Sequence, residues 1–237
     1  MLIQYWSDYA CPYCYIGETH LKKALGEIQA ERGILAAEDI EMRAFELNPQ
    51  ASVEYTGETV NRFAAKYGLS LQKAAEQIEA ISQMGRNAGL DFNYAQTRYT
   101  NTFDAHRLTK AAQFLNKRES ADRISERLYK AYFSEGMELA DREVLVKIAV
   151  EEGMEEKEVR RILDSEKYAD AVRFDEQEAA RYGIHSVPYF VLDGKVAIPG
   201  AFSVEQMKRI LLEIADKEEK LKQEEGISCG PDGCHIG

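Results

Sequence analysis

The chain has 237 residues, a formal net charge of −11, 45% hydrophobic residues and 30% charged residues. That length holds one elaborated domain or two small ones around a sizeable core, and the composition is that of a soluble globular protein. The acidic balance, with no basic run, excludes a phosphate-binding nucleic-acid surface, and no apolar stretch approaches the ~18 residues that mark a membrane span.

The first residues enter a strand at once. Leu2, Ile3, Tyr5 and Trp6 form a short apolar run of the buried kind, and Cys11-Pro12-Tyr13-Cys14 follows it. Beyond that motif, Leu21, Ala24, Leu25 and Ile28 recur at helical spacing until Gly33 stops the pattern. Ile40, Met42 and Ala44 alternate with charged residues and predict a second strand. Two strands joined through a helix fit a parallel βαβ unit with a right-handed crossover.

From about Thr59 to Tyr182 the periodicity is helical throughout. Val60, Phe63, Ala64 and Tyr67 make one stripe and Leu71, Ala74, Ala75, Ile78 and Ile81 the next. Further segments run over 102–117, 119–135, 141–152, 155–164 and 166–182, with Asp141 as an N-cap. No fixed repeat emerges, so this is a helical insertion and not a solenoid. Strand character returns at Tyr189–Leu192 and Lys195–Ile198, on either side of Asp193-Gly194, a strong hairpin signal. Ser203 and Gln206 have capping-box spacing ahead of a final amphipathic helix. The predicted fold is α/β: residues 1–50 and 183–225 form a thioredoxin-like domain on which part of 166–182 packs. Residues 51–182 form an inserted all-helical domain, and 226–237 a flexible cysteine-containing tail.

All four cysteines lie at the ends of the chain. The N-terminal sequence has no charged n-region and no cleavage site, so a cytoplasmic location is expected, where paired thiols serve catalysis, sensing or metals more than structure. Placed at a strand-to-helix junction, Cys11 stands at a helix N-terminus, whose dipole and unpaired N–H groups favour an anion. Such a setting lowers a thiol pKa from ~8.5 into roughly the 3.5–7.5 range. This points to dithiol–disulfide exchange, with Cys11 as nucleophile and Cys14 as the buried resolving thiol. A zinc half-site is the competing reading, because Cys229 and Cys234 could complete four ligands. In Cys229-Gly-Pro-Asp-Gly-Cys234, a type I turn would bring the two tail thiols close enough for an auxiliary redox pair. His106 is expected to be a packed histidine, with a place in an inter-domain cleft as its functional alternative. His185 is close enough in sequence to Pro188 to approach the site.

Ser7 to Gly17 around the cysteine pair, Asn101-Thr-Phe-Asp-Ala-His-Arg-Leu108, and Ser186-Val-Pro-Tyr-Phe190 together resemble the DsbA-like thioredoxin superfamily, in its cytoplasmic FrnE-type branch. The resemblance covers nearly the whole chain. It implies disulfide oxidoreductase activity, a cis-proline at Pro188 facing Cys11 and Cys14, and backbone contacts from Val187 to substrate, with Pro12 and Tyr13 beside it. It implies no metal or organic cofactor. Partners would be protein or small-molecule disulfides or dithiols, with glutathione as a candidate. Homodimer formation rests on family analogy alone. The same superfamily includes kappa-class glutathione transferases and 2-hydroxychromene-2-carboxylate isomerases, which usually carry serine at the position of Cys11. A glutathione-dependent transferase or isomerase is therefore the alternative function.

Overall fold

Strand β1 (Ile3–Ser7) is buried apart from a half-buried Gln4, as its largely apolar sequence requires. Successive side chains serve opposite faces of the sheet. Ile3 and Tyr5 belong to the main core, and Trp6 to a smaller cluster with Ala179, Ile184 and Val191. A computed structural model describes residues 2–34, 40–115, 118–224, 227–230 and 233–236. Helix α1 (Pro12–Arg32) ends where Gly33 adopts a left-handed φ of 66°. Strand β2 (Ile40–Ala44) buries Ile40, Met42 and Ala44 and leaves Glu41 and Arg43 partly exposed, the alternation its sequence carries. It runs parallel to β1.

The chain returns to the sheet through the expected hairpin, β3 (Tyr189–Leu192) and β4 (Val196–Pro199). Asp193 and Gly194 both have positive φ, 48° and 66°, and the Lys195 N–H closes the turn on Leu192 O at 2.9 Å. β3 lies antiparallel to β1, giving a four-stranded sheet in the order β2-β1-β3-β4. The Ser203 N–H donates to Gln206 Oε1 at 3.0 Å, and the Gln206 N–H donates to Ser203 Oγ at 3.3 Å. This capping box starts the last helix of the fold (Val204–Glu224), whose Met207 and Leu211 are fully buried and which packs against α1.

Between β2 and β3 lie seven α-helices and one short 3-10 turn (Tyr94–Gln96) among the described residues, and no strand. The α-helices are α2 (Thr59–Tyr67), α3 (Leu71–Asn87), α4 (Phe103–Phe114), α5 (Arg118–Phe133), α6 (Arg142–Glu151), α7 (Glu156–Leu163) and α8 (Ala169–Arg181), so the last helix is α9. Ser70 caps α3 and Asp141 caps α6 with their side-chain oxygens. The final segment begins three residues later than its periodicity suggested, because Tyr168 takes a left-handed φ of 62° ahead of α8. Tyr67 and Leu71, placed on core stripes by spacing, are 55% and 56% exposed. They flank the short α2–α3 connection, where spacing alone cannot tell a core stripe from the rim of a cleft.

The insertion is tied to the sheet by buried charge. Asp175 on α8 forms ion pairs with Lys110 on α4 and, at 2.9 Å, with Arg43 on β2. It also accepts the Ala44 N–H at 2.8 Å, and its backbone oxygen accepts the Trp6 indole N–H at 2.8 Å. Within the cysteine-containing tail, β5 (Ile227–Gly230) and β6 (Gly233–Ile236) form an antiparallel hairpin.

Candidate active site

Cys11 is the N-cap of α1, in extended conformation (φ −93°, ψ 114°), with Pro12 at the first helical position, where a missing N–H leaves no hydrogen bond unmade. Its N–H donates to Asp8 O at 3.0 Å, and its own carbonyl accepts the Cys14 N–H at 3.1 Å. The segment from β1 to α1 is thereby a tight turn that sets the two sulfurs one helical turn apart. Both cysteines are free thiols; Cys14 is wholly buried and Cys11 is 4% exposed. Burial, followed by the neighbouring Cys11 thiol, pushes the Cys14 thiol well above its ordinary value.

The Cys11 thiol donates to the backbone oxygen of Val187 at 3.6 Å. The Val187–Pro188 peptide bond is cis. Pro188 O accepts the Gly200 N–H at 2.8 Å, and the proline ring rests on α1 at Gly17. A Cβ at Gly17 would lie 3.1 Å from Pro188 Cγ. The absent side chain therefore lets the proline loop approach the cysteine helix.

Cys11, Pro12, Tyr13 and Val187 line one cleft of about 780 Å³. Its opposite wall comes from the insertion: Arg62, Lys66, Tyr67, Met84, Tyr94 and Tyr99. Cys14 and Pro188, also named from sequence, stand behind this lining and support it. Cys229 and Cys234 occupy directly opposed register positions of the β5–β6 hairpin. Pro231 and Asp232, on which the expected type I turn depends, lie outside the described residues. His106 is packed, 1% exposed, with its ring 4.8 Å from that of Tyr9, while His185 is among the cleft residues. His20 Nδ1 is 2.7 Å from Phe202 O, away from the cleft.

Sequence reasoning missed two groups. The first is Asp8, 1% exposed, whose carboxylate accepts the Ala10 N–H at 3.1 Å, the Leu47 N–H at 2.7 Å and the Thr102 hydroxyl at 2.9 Å. An aspartate closing an apolar strand next to the cysteine motif was the available signal. The second is the far wall of the cleft. Periodicity assigned Tyr67 to a core, and nothing local relates Arg62 or Tyr94 to Cys11. Burial pushes the Tyr94 phenol up to about 12 against the opposing pull of Arg62.

Residues 2–212 match the family model of the DSBA-like thioredoxin domain. The chain is similar to a probable DsbA oxidoreductase from Streptomyces coelicolor, with 32% identity, 100% of this chain and 99% of the other covered, and a TM-score of 0.84. A 2-hydroxychromene-2-carboxylate isomerase shares the fold at 13% identity, with 94% and 98% of the chains covered and a TM-score of 0.62. The cytosolic disulfide reductase DsbM from Pseudomonas aeruginosa, which has also been solved with glutathione, does so at 16% identity, with 94% and 100% covered and a TM-score of 0.60. No described helix is long and apolar enough to cross a membrane. With its cysteine pair at the start of α1, a proline loop opposite and helices inserted between β2 and β3, the chain belongs to the DsbA-like thioredoxin family.

Proposed function

We propose that this protein is a thiol–disulfide oxidoreductase that works through Cys11 and Cys14. The observation that carries the reading is their unequal placement: Cys11 lines the cleft against Val187 O, and Cys14 is buried one turn behind it. In the reductive direction the Cys11 thiolate attacks one sulfur of a substrate disulfide. The substrate S–S bond breaks, one half leaves as thiolate, and the other half stays on Cys11 as a mixed disulfide. Cys14 gives up its proton and attacks the Cys11 sulfur, which releases the second thiolate and leaves a Cys11–Cys14 disulfide. The substrate has gained two electrons, and an external thiol of the glutathione class returns the enzyme to its dithiol form. Pro12 and Tyr13 contact the substrate beside the nucleophile, Val187 offers it backbone groups, and Pro188 holds that segment against α1.

Residues 1–50 and 183–225 carry this chemistry, 51–182 supply the far wall of the cleft, and Cys229 with Cys234 act as an auxiliary dithiol. The register pairing of the tail cysteines supports the last assignment. No metal or organic cofactor takes part. The FrnE-type branch and a cytoplasmic setting favour reduction or isomerisation over oxidative folding, acting on protein or small-molecule disulfides.

Incubation of Cys14→Ser with a disulfide substrate should trap a mixed disulfide on Cys11, seen by mass spectrometry, and Cys11→Ser should trap none. Trapping in neither variant, with no loss of reductase activity in Cys11→Ser, refutes the reading. A double Cys229/Cys234 serine variant with unchanged activity and potential would remove the tail from the mechanism. The tyrosine-rich cleft favours one second reading, a glutathione-dependent transferase or isomerase for an aromatic substrate. That activity would survive loss of both active-site thiols.

A further inference from the structure

The acidic character of the chain stops at the cleft. Its lining contains Arg62, Lys66 and His185 and no carboxylate, in a protein of net charge −11. Arg62 and Lys66 are four residues apart on α2 and so share one face of that helix. Elsewhere in the insertion, arginines are matched: Arg86 with Glu79, Arg107 with Asp104, Arg127 with Glu135 and Glu151, Arg160 with Glu143. Among the described residues, Arg62 and Lys66 form no ion pair with a carboxylate.

Arg62 is also held in place. Its guanidinium carbon lies 4.2 Å over the centre of the Tyr99 ring, and its Nε is buried with no hydrogen-bond partner. Stacking fixes the plane of the guanidinium, and a fixed fork of N–H donors suits a carboxylate, which accepts two of them at once. Lys66 Nζ is 5.4 Å from the centre of the Tyr67 ring and, at an exposed position, adds positive charge to the same wall. The cleft volume of about 780 Å³ lies in the usual range for small-molecule sites.

We infer that the cleft selects small disulfides and thiols that carry a carboxylate, with Arg62 receiving the carboxylate while the ligand sulfur meets Cys11 and Lys66 draws the anion in. The inference rests on the exchange reaction proposed above and names the substrate class for it. The covalent step is unchanged: the ligand S–S bond breaks, its sulfur joins Cys11, and the departing thiolate carries the electron pair.

The test compares glutathione disulfide (anionic), hydroxyethyl disulfide (neutral) and cystamine (cationic) as oxidants of the pre-reduced full-length protein. Rates of disulfide formation at Cys11 are followed by quenched mass spectrometry and divided by each reagent's rate with a free small thiol. The normalised rate should be highest for glutathione disulfide and lowest for cystamine, and salt should compress the order. Arg62→Gln should lower the glutathione-to-hydroxyethyl ratio about tenfold, equivalent to about 1.4 kcal/mol. Arg62→Lys should restore part of it, and Lys66→Gln, at an exposed position, should lower it in a protein whose folding is not in question.

An order insensitive to salt and to both glutamine variants overturns the inference while leaving the exchange reaction standing. Titration calorimetry with S-methylglutathione, which cannot exchange, separates the two claims. Binding about tenfold weaker in Arg62→Gln supports the anion site even if no disulfide oxidises the protein, and equal binding by both proteins refutes it.

Discussion

Replacing Gly17 by alanine sets two effects of known size against each other. A glycine in a helix interior is about 0.5–1 kcal/mol less favourable than alanine, so the exchange by itself stabilises. Gly26, in the same helix, has no atom within 4 Å of where its Cβ would be, and Gly26→Ala should show that gain alone. At Gly17 the new Cβ meets Pro188 Cγ at 3.1 Å and Ala201 Cα and Cβ at 3.4 Å. These are closer than the ~3.5–4.0 Å optimum for carbon contacts. Neither neighbour is the loose end of a long side chain, so the proline loop has to retreat. Overpacking of this kind costs about 1–3 kcal/mol. Gly17→Ala should therefore fall between near neutral and about 2 kcal/mol less stable than the parent, and below Gly26→Ala in every case. Retreat of Pro188 carries Val187 with it, and Val187 O is the group 3.6 Å from Cys11 Sγ. Exchange activity should drop in Gly17→Ala and hold in Gly26→Ala. Urea unfolding read by Trp6 fluorescence, together with disulfide reduction rates, measures both quantities. Equal stability and equal activity of the two variants would refute a tight proline–helix contact.

Other outcomes follow from the buried groups. Because the folded state keeps the Cys14 proton beyond the ordinary thiol value of 9.0, folding retains a proton there that the unfolded chain loses. This contribution is fully present below that pH and is lost as pH rises from it toward the raised folded value, at up to about 1.4 kcal/mol per pH unit; denaturation of the reduced protein between about pH 9 and 11 should show a steeper decline than Cys14→Ala, and identical slopes would refute it. Iodoacetamide on the native reduced protein should modify Cys11 well before Cys14, which peptide mapping will show. Asp175→Ala leaves Lys110 and Arg43 without their carboxylate and should cost about 3–5 kcal/mol, with a shift in Trp6 emission; a loss under about 1 kcal/mol in urea would show that the pair is not a true tie. Asp8→Asn substitutes one acceptor and an amino group for a carboxylate that accepts three donors, and should cost about 1–3 kcal/mol with slower exchange; calorimetric melting and a reductase assay check both.

Local signals account for what could be foreseen. The Cys11–Cys14 spacing, the glycine stop at Gly33, the Asp193-Gly194 turn and the Ser203–Gln206 box are all written within a few residues, and each appears in the structure as its chemistry dictates. The sheet order is a further step, yet β–α–β followed by a hairpin leaves few ways to pair the strands. The far wall of the cleft was illegible for a different reason. Arg62 on α2 and Tyr99 in the segment before α4 are brought to Cys11 by the packing of the insertion, whose helix angles no periodicity specifies. Tyr67 shows the failure directly: an aromatic at helical spacing reads as core whether its face meets another helix or an open cleft. Asp8 was hidden because its partners at Leu47 and Thr102 are distant in sequence.

Asp8 and Asp175 also explain how an inserted block can take part in chemistry based on the sheet. Asp8 leaves β1 beside the cysteine turn and joins it to Leu47, after β2, and to Thr102, the N-cap of α4. Asp175 joins the body of β2 to α4 through Lys110 and to Trp6 of β1 through its backbone oxygen. Two fully buried carboxylates thus attach the same helix, α4, to neighbouring strands at two heights. Sliding α4 along the sheet would break charged hydrogen bonds in a low-dielectric interior, where each is costly to lose. The insertion is therefore registered to the Cys11 turn by polar contacts that admit one arrangement, and apolar packing alone would tolerate several. In the exchange proposed at Cys11 the substrate sulfur lines up with a buried second thiol, and a cleft wall held in register is what would let such a dithiol helix discriminate among disulfides.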